Sequence, residues 1–182
     1  MAVLIAAAIC AVWFSQTGGD GGVYAPLLGE RYHGVLASQM VVKDTAVAMP
    51  SLQGSSSEWL KQFEVIPSEL QRLASRPSPT QPHRFDESLF PDRTRFVSSS
   101  TIEAMFGKRG IAENWSAFKT QIGARGYIAF SDALFATDRV NAVVYYEARC
   151  GGLCGEGGYA WLRRDAVGSP WRVVKKIVRW MS

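Results

Sequence analysis

Only two histidines, His33 and His83, occur in this chain of 182 residues, and only three cysteines, Cys10, Cys150 and Cys154. That scarcity excludes the common zinc sites, because two thiols with no histidine near them in sequence cannot complete a tetrahedral ligand set. It also narrows nucleophilic catalysis, since a Ser-His-Asp arrangement would have to use His33 or His83. No G-x-S-x-G elbow, calcium loop or phosphate-binding glycine loop is present. No cofactor and no metal are expected. Charge of one sign is scarce as well: 20 Lys and Arg against 16 Asp and Glu leave a net +4. Such a balance lacks the dense basic patches that mark a nucleic-acid partner.

Long apolar runs are also wanting. Residues 2–14 (AVLIAAAICAVWF) are apolar throughout. As a helix, residues 1–14 would span about 21 Å at about 1.5 Å per residue, short of the roughly 30 Å of a bilayer core. No Lys or Arg precedes Arg31, so the positive segment of a secretory signal is missing, and no A-x-A cleavage site follows Phe14. Cys10 follows Ile9, a poor match to a lipoprotein acylation site. A start placed downstream of the true one, a spare signal or anchor, and a buried first helix are the alternatives. Export is the reading preferred, with membrane attachment through residues 1–14 as its variant.

What the chain does hold is core material: 47 % of residues are hydrophobic and 12 % aromatic, ample for one folded domain. Residues 15–22 (SQTGGDGG) read as a linker, so a single α+β domain is expected over 23–182. Val23, Leu27, Leu28 and Tyr32 have near-helical spacing over residues 23–33, with Gly34 as the stop. Residues 39–47 read as a strand, and Ser55 with Glu58 as a capping box ahead of Trp59, Leu60 and Phe63. A helix from Pro67 turns Leu70 and Leu73 inward. Residues 76–82 (RPSPTQP) cross the surface, and Phe85, Leu89 and Phe90 pin the chain back. A short strand at 95–97 precedes a helix opened by Ser100 and Glu103. Residues 111–122 form a second helix with Ile111, Trp115, Phe118 and Ile122 in one stripe. Strands follow at 127–131, 140–149, 159–164 and 171–180, joined by turn-rich connections. The expected fold is an antiparallel C-terminal meander of about four strands packed against N-terminal helices.

The most distinctive chemistry is residues 143–158, VVYYEARCGGLCGEGG. With Trp115 and Phe118, the strand Gly126–Ser131 and Trp171, this stretch resembles a group of exported bacterial proteins. In them a Trp- and Phe-bearing helix, a G-Y-hydrophobic-hydrophobic-Ser strand, an aromatic strand entering C-G-x-L-C-G-x-G and a Trp-bearing hairpin follow in that order. The resemblance covers residues 115–182 and, more weakly, 23–47. It implies an exported setting and carries no established activity.

In an oxidising compartment Cys150 and Cys154 are expected to form a bridge. Its small ring would add about 2 kcal/mol or less and would shape the loop, with Gly151 and Gly152 taking angles closed to other residues. The C-x3-C spacing is not that of common redox motifs; free thiols and a redox or metal role stay as alternatives. Glu156, among glycines with exposed amides, could meet a ligand or cation, against the plainer reading of a solvated loop residue. Ser116 and Lys119 match a bare S-x-x-K pattern, whose partner motifs are absent. His83, beside Arg84 and Asp86 in a loop, is the better-placed histidine for a hydrolase. Between 158 and 182 six basic residues (Arg163, Arg164, Arg172, Lys175, Lys176, Arg179) face one acid, Asp165, with Trp161, Trp171 and Trp180 interleaved.

These features lead to an exported or periplasmic domain that binds a small molecule or envelope component through its C-terminal sheet, with Glu156, Trp161, Arg163 and Trp171 as ligand contacts. The alternatives are a small hydrolase acting on an ester or lactone through His83, Ser116, Lys119 or Glu156, and a structural protein of the envelope. Nucleic acid is disfavoured as a partner.

Overall fold

A computed structural model describes residues 22–32, 34–52, 61–75, 82–107 and 111–182. The apolar run 1–14, His33, the Ser55–Glu58 box with Trp59 and Leu60, and residues 76–81 lie outside them. The described chain opens with one helical turn, α1 (Ala25–Leu28), with Pro26 in its first turn. A longer helix is not formed. The chain leaves at Gly29 and makes a small antiparallel ribbon from β1 (Arg31–Tyr32) and β2 (Val35–Leu36). Gly34, at φ +82°, takes the turn between them. Val23, Leu27 and Tyr32 are all buried, so the apolar spacing was real. A helical turn followed by a ribbon satisfies it as well as a helix would.

After a short 3-10 turn comes β3 (Met40–Lys43). It pairs in parallel with β4 (Phe96–Val97) on one side and with β5 (Gly126–Phe130) on the other. Met40, Val41 and Val42 are all buried, as expected of a central strand covered on both faces. Between β3 and β5 run the helices α2 (Ser68–Ala74), α3 (Ser99–Phe106) and α4 (Ile111–Ile122). The cap of α3 is Ser98, whose Oγ accepts from Thr101 N–H at 3.1 Å, two residues before the expected Ser100. The chain then builds β6 (Leu134–Phe135), β7 (Asn141–Gly151), β8 (Cys154–Arg163) and β9 (Arg172–Met181).

The result is a seven-stranded mixed sheet in the order β4-β3-β5-β7-β8-β9, with β6 paired to the first part of β7. The α+β class holds, and the simple antiparallel four-strand meander does not. β5, β7, β8 and β9 do pair antiparallel in turn, but β3 and β4 extend the sheet in parallel beyond β5. Parallel pairing needs a long crossover, here the helical stretch, and no local periodicity announces it.

Side chains alternate along β7. Ala142, Val144, Tyr146, Ala148 and Cys150 join a core with α1, the ribbon, Phe85 and Phe90. There Tyr24 stacks on Phe90 at 4.5 Å and donates its hydroxyl to the Ser131 carbonyl at 3.0 Å. On the other face Val143 and Tyr145 pack with Phe63, Ile66 and Leu70. Beside them α3 and α4 cover β3 and β5 through Ile102, Trp115 and Phe118. The sheet is therefore the middle of three layers.

Candidate functional site

The CGGLC stretch is the end of a long hairpin and not an open loop. β7 and β8 pair from Asn141↔Arg163 to Gly151↔Cys154, leaving only Gly152 and Leu153 to turn. Cys150 and Cys154 are bridged with their Cα atoms 5.0 Å apart. Positive φ among the described glycines occurs at Gly22, Gly34, Gly123 and Gly168, so Gly151 and Gly152 do not need the special angles expected of them. Gly155, Gly157 and Gly158 are buried within β8. At Gly157 the reason is proximity: a Cβ there would run into the Trp180 indole, which lies across the strand. The amides expected to be exposed are committed to the sheet.

Glu156 sits among them, and it is buried. Its Oε1 accepts from the Tyr146 hydroxyl at 3.1 Å and meets Lys176 Nζ at 3.1 Å. Lys176 lies 4.2 Å from the Tyr32 ring centre and donates to the Arg31 carbonyl at 3.4 Å. Burial, then the negative charge of Glu156, pushes the Tyr146 phenol far above its ordinary range. Burial does the same to Tyr32. These two phenols stay neutral across the physiological range and close the ion pair from both sides. Glu156 is thus an internal bond between β8 and β9 rather than a loop carboxylate facing solvent.

The other sheet candidates are scattered. Trp161 donates its Nε1 to Asn141 Oδ1 at 3.0 Å, and Arg163 is exposed. Trp171 is buried, and the Arg164 guanidinium stacks over it at 4.5 Å. Trp171 Nε1 has no hydrogen-bond partner among the described residues. Tyr145 accepts from Trp180 Nε1 at 3.2 Å and donates to Glu147 at 3.0 Å, with its phenol pushed up to about 12, chiefly by burial.

His83 does find a carboxylate. Its Nε2 is 3.1 Å from Asp132 Oδ1, with side chains 55 % and 41 % exposed, so the pair is open to solvent. Glu156 is not part of it. The Ser131 hydroxyl next door is already used, donating to the Asp132 carbonyl at 2.8 Å and accepting from Tyr145 N–H at 2.9 Å. Ser116 and Lys119 are exposed on α4. No hydrogen bond or ion pair joins them to His83 or Asp132 among the described residues. Nor does any group of three or more His, Cys, Asp or Glu able to hold a metal occur there.

Asp44, at the end of β3, was read only as a strand residue. It ties β3 to α3: its carboxylate accepts from Thr45 Oγ1 at 2.9 Å and from Ser99 N–H at 2.9 Å, and meets Arg84 Nε at 3.3 Å. Burial raises its pKa, but the bonds from Thr45 and Ser99 and the Arg84 charge outweigh it and hold the carboxyl below the ordinary range.

A further feature had no sequence signal. Beside β3 lies a cavity of about 460 Å³. Leu28 from α1 and Met40 and Val42 from β3 supply apolar wall, while Arg93, Thr94 and Arg95 complete it. Arg95 is held in place by donating to the Ile122 carbonyl at 2.6 Å and the Gly123 carbonyl at 3.3 Å, the open end of α4. Thr94 Oγ1 is buried without a hydrogen-bond partner among the described residues. The lining comes from three separate segments, 25–29, 37–42 and 91–95, and only the fold brings them together. Set against known proteins, the chain matches no family model, no curated protein and no solved structure.

Proposed function

We propose that this is a binding domain for a small, largely apolar molecule, held in the cavity beside β3. The observation that carries the reading is the cavity itself. Its volume of about 460 Å³ lies within the roughly 300–1,000 Å³ of small-molecule sites, and apolar walls with a few polar groups are the usual composition of such sites. The sequence pointed to the C-terminal sheet. There Glu156 and Trp161 are engaged in internal bonds and Trp171 is packed away, which shifts the preference to β3. An exported or periplasmic setting goes with this reading, supported by the Cys150–Cys154 bridge. Attachment to the envelope through residues 1–14 belongs to the same proposal; no helix among the described residues is long and apolar enough to cross a membrane.

Calorimetric titration with 1-octanol tests it. Saturable binding, lost when Ala25→Phe fills the cavity from α1, is the expected result. The absence of saturable binding, or binding that Ala25→Phe leaves intact, would overturn it.

A second reading, a small ester or lactone hydrolase, is favoured by one observation, the His83–Asp132 pair. A carboxylate behind an exposed imidazole orients it as a base. Turnover of chromogenic esters or lactones that His83→Ala abolishes would establish this reading, and turnover unaffected by His83→Ala would remove it.

A further inference from the structure

The cavity beside β3 carries charge of one sign. Arg93 and Arg95 contribute to its lining and no Asp or Glu does. The nearby acids Asp92 and Glu30 are not among the lining residues. The two arginines differ. Arg95 is anchored by the carbonyls at the end of α4, so it fixes positive potential at the rim. Arg93 is exposed and has no ion pair or hydrogen bond among the described residues, so its whole fork of donors is free for a ligand. Beside it Thr94 buries a hydroxyl that nothing described accepts or donates to. Rotation about χ1 between staggered positions can redirect a threonine hydroxyl. In the same lining Leu28, Met40 and Val42 offer nothing but apolar surface.

We propose that the ligand of this cavity is an amphipathic anion: a carboxylate on a short aliphatic chain, its head at Arg93 and its tail against Leu28, Met40 and Val42. The inference rests on the cavity being the binding site, as argued above, and adds the ligand's charge. A carboxylate can take two parallel N–H···O bonds from a guanidinium, which a neutral alcohol cannot match. A cation would meet only repulsion at the rim.

Three eight-carbon probes that differ only in the head separate these possibilities: octanoate, 1-octanol and octylammonium, titrated calorimetrically into the wild-type chain and into Arg93→Gln. Octanoate is expected to bind about tenfold or more tighter than 1-octanol, with octylammonium weakest, by the strength of charge-assisted over neutral hydrogen bonds. Arg93→Gln should erase the octanoate advantage over 1-octanol. Equal affinity for octanoate and 1-octanol in the wild type would overturn the anion assignment while the cavity stands as a binding site. A preference for octanoate that survives Arg93→Gln would overturn the assignment to Arg93. No saturable binding of 1-octanol would remove the cavity reading, and this inference with it.

Discussion

At the level of single residues, the bonds that converge on Asp44 make a pH-dependent contribution with a definite sign. Its carboxyl titrates below the ordinary Asp value because Thr45, Ser99 and Arg84 outweigh the cost of burial. A lowered folded pKa gives stability that is complete above the unfolded value of about 3.9 and is lost as pH falls through the folded value. Asp44→Asn should cost about 1–3 kcal/mol at neutral pH, and urea unfolding of the variant should show a shallower loss of stability on acidification than the wild type. Equal acid slopes in the two proteins would contradict this role. Thr94 makes the opposite case. Its buried hydroxyl lacks a partner among the described residues, so Thr94→Val should leave stability unchanged or raise it by about 1 kcal/mol, read from the thermal midpoint. Neither effect is legible in the sequence. Asp44 is one charged residue in a strand pattern, and its partners Ser99 and Arg84 lie 55 and 40 positions away along the chain.

Among the elements, the β7–β8 hairpin is the most legible in the sequence. The Val- and Tyr-rich run at 140–149 and the glycines that follow it give β7 and the turn away, and residues 111–122 form α4 as their stripe predicts. β8 starts five residues before the expected Tyr159, at Cys154; Gly155, Gly157 and Gly158 read as loop in the sequence. They are glycines because Trp180 and the β9 backbone approach too closely for a side chain. Gly157→Ala should therefore destabilise by about 1–3 kcal/mol through overpacking, measurable by chemical denaturation; a loss below about 0.5 kcal/mol would mean that the indole moves aside freely. Thiol titration of the unreduced, unfolded chain should find one free thiol, Cys10, and three would refute the bridge. The burial of Glu156 could not be read locally, since it depends on β9 bringing Lys176 alongside. Lys176→Met leaves that buried carboxylate without its ammonium and should cost about 3–5 kcal/mol. Adding Glu156→Gln should restore part of the loss.

For the molecule as a whole, the layers follow from which strands are buried on both faces. Met40, Val41 and Val42 are buried on both faces of β3, but an apolar run that short neither marks the strand as central nor names its neighbours. The parallel partners β4 and β5 are joined to it only through long connections, which is why the mixed sheet was not foreseen while its antiparallel part was. The cavity is a consequence of that topology: α1, β3 and the segment 91–95 meet on one side of the sheet at its β4–β3 end. The central claim, that this meeting place holds a small, largely apolar ligand, is tested most directly by following backbone amide resonances during a titration with 1-octanol. Saturating shifts concentrated at residues 25–29, 37–42 and 91–95 are predicted. Shifts confined to the β8–β9 edge, or none at saturation of the solution with the probe, would contradict it.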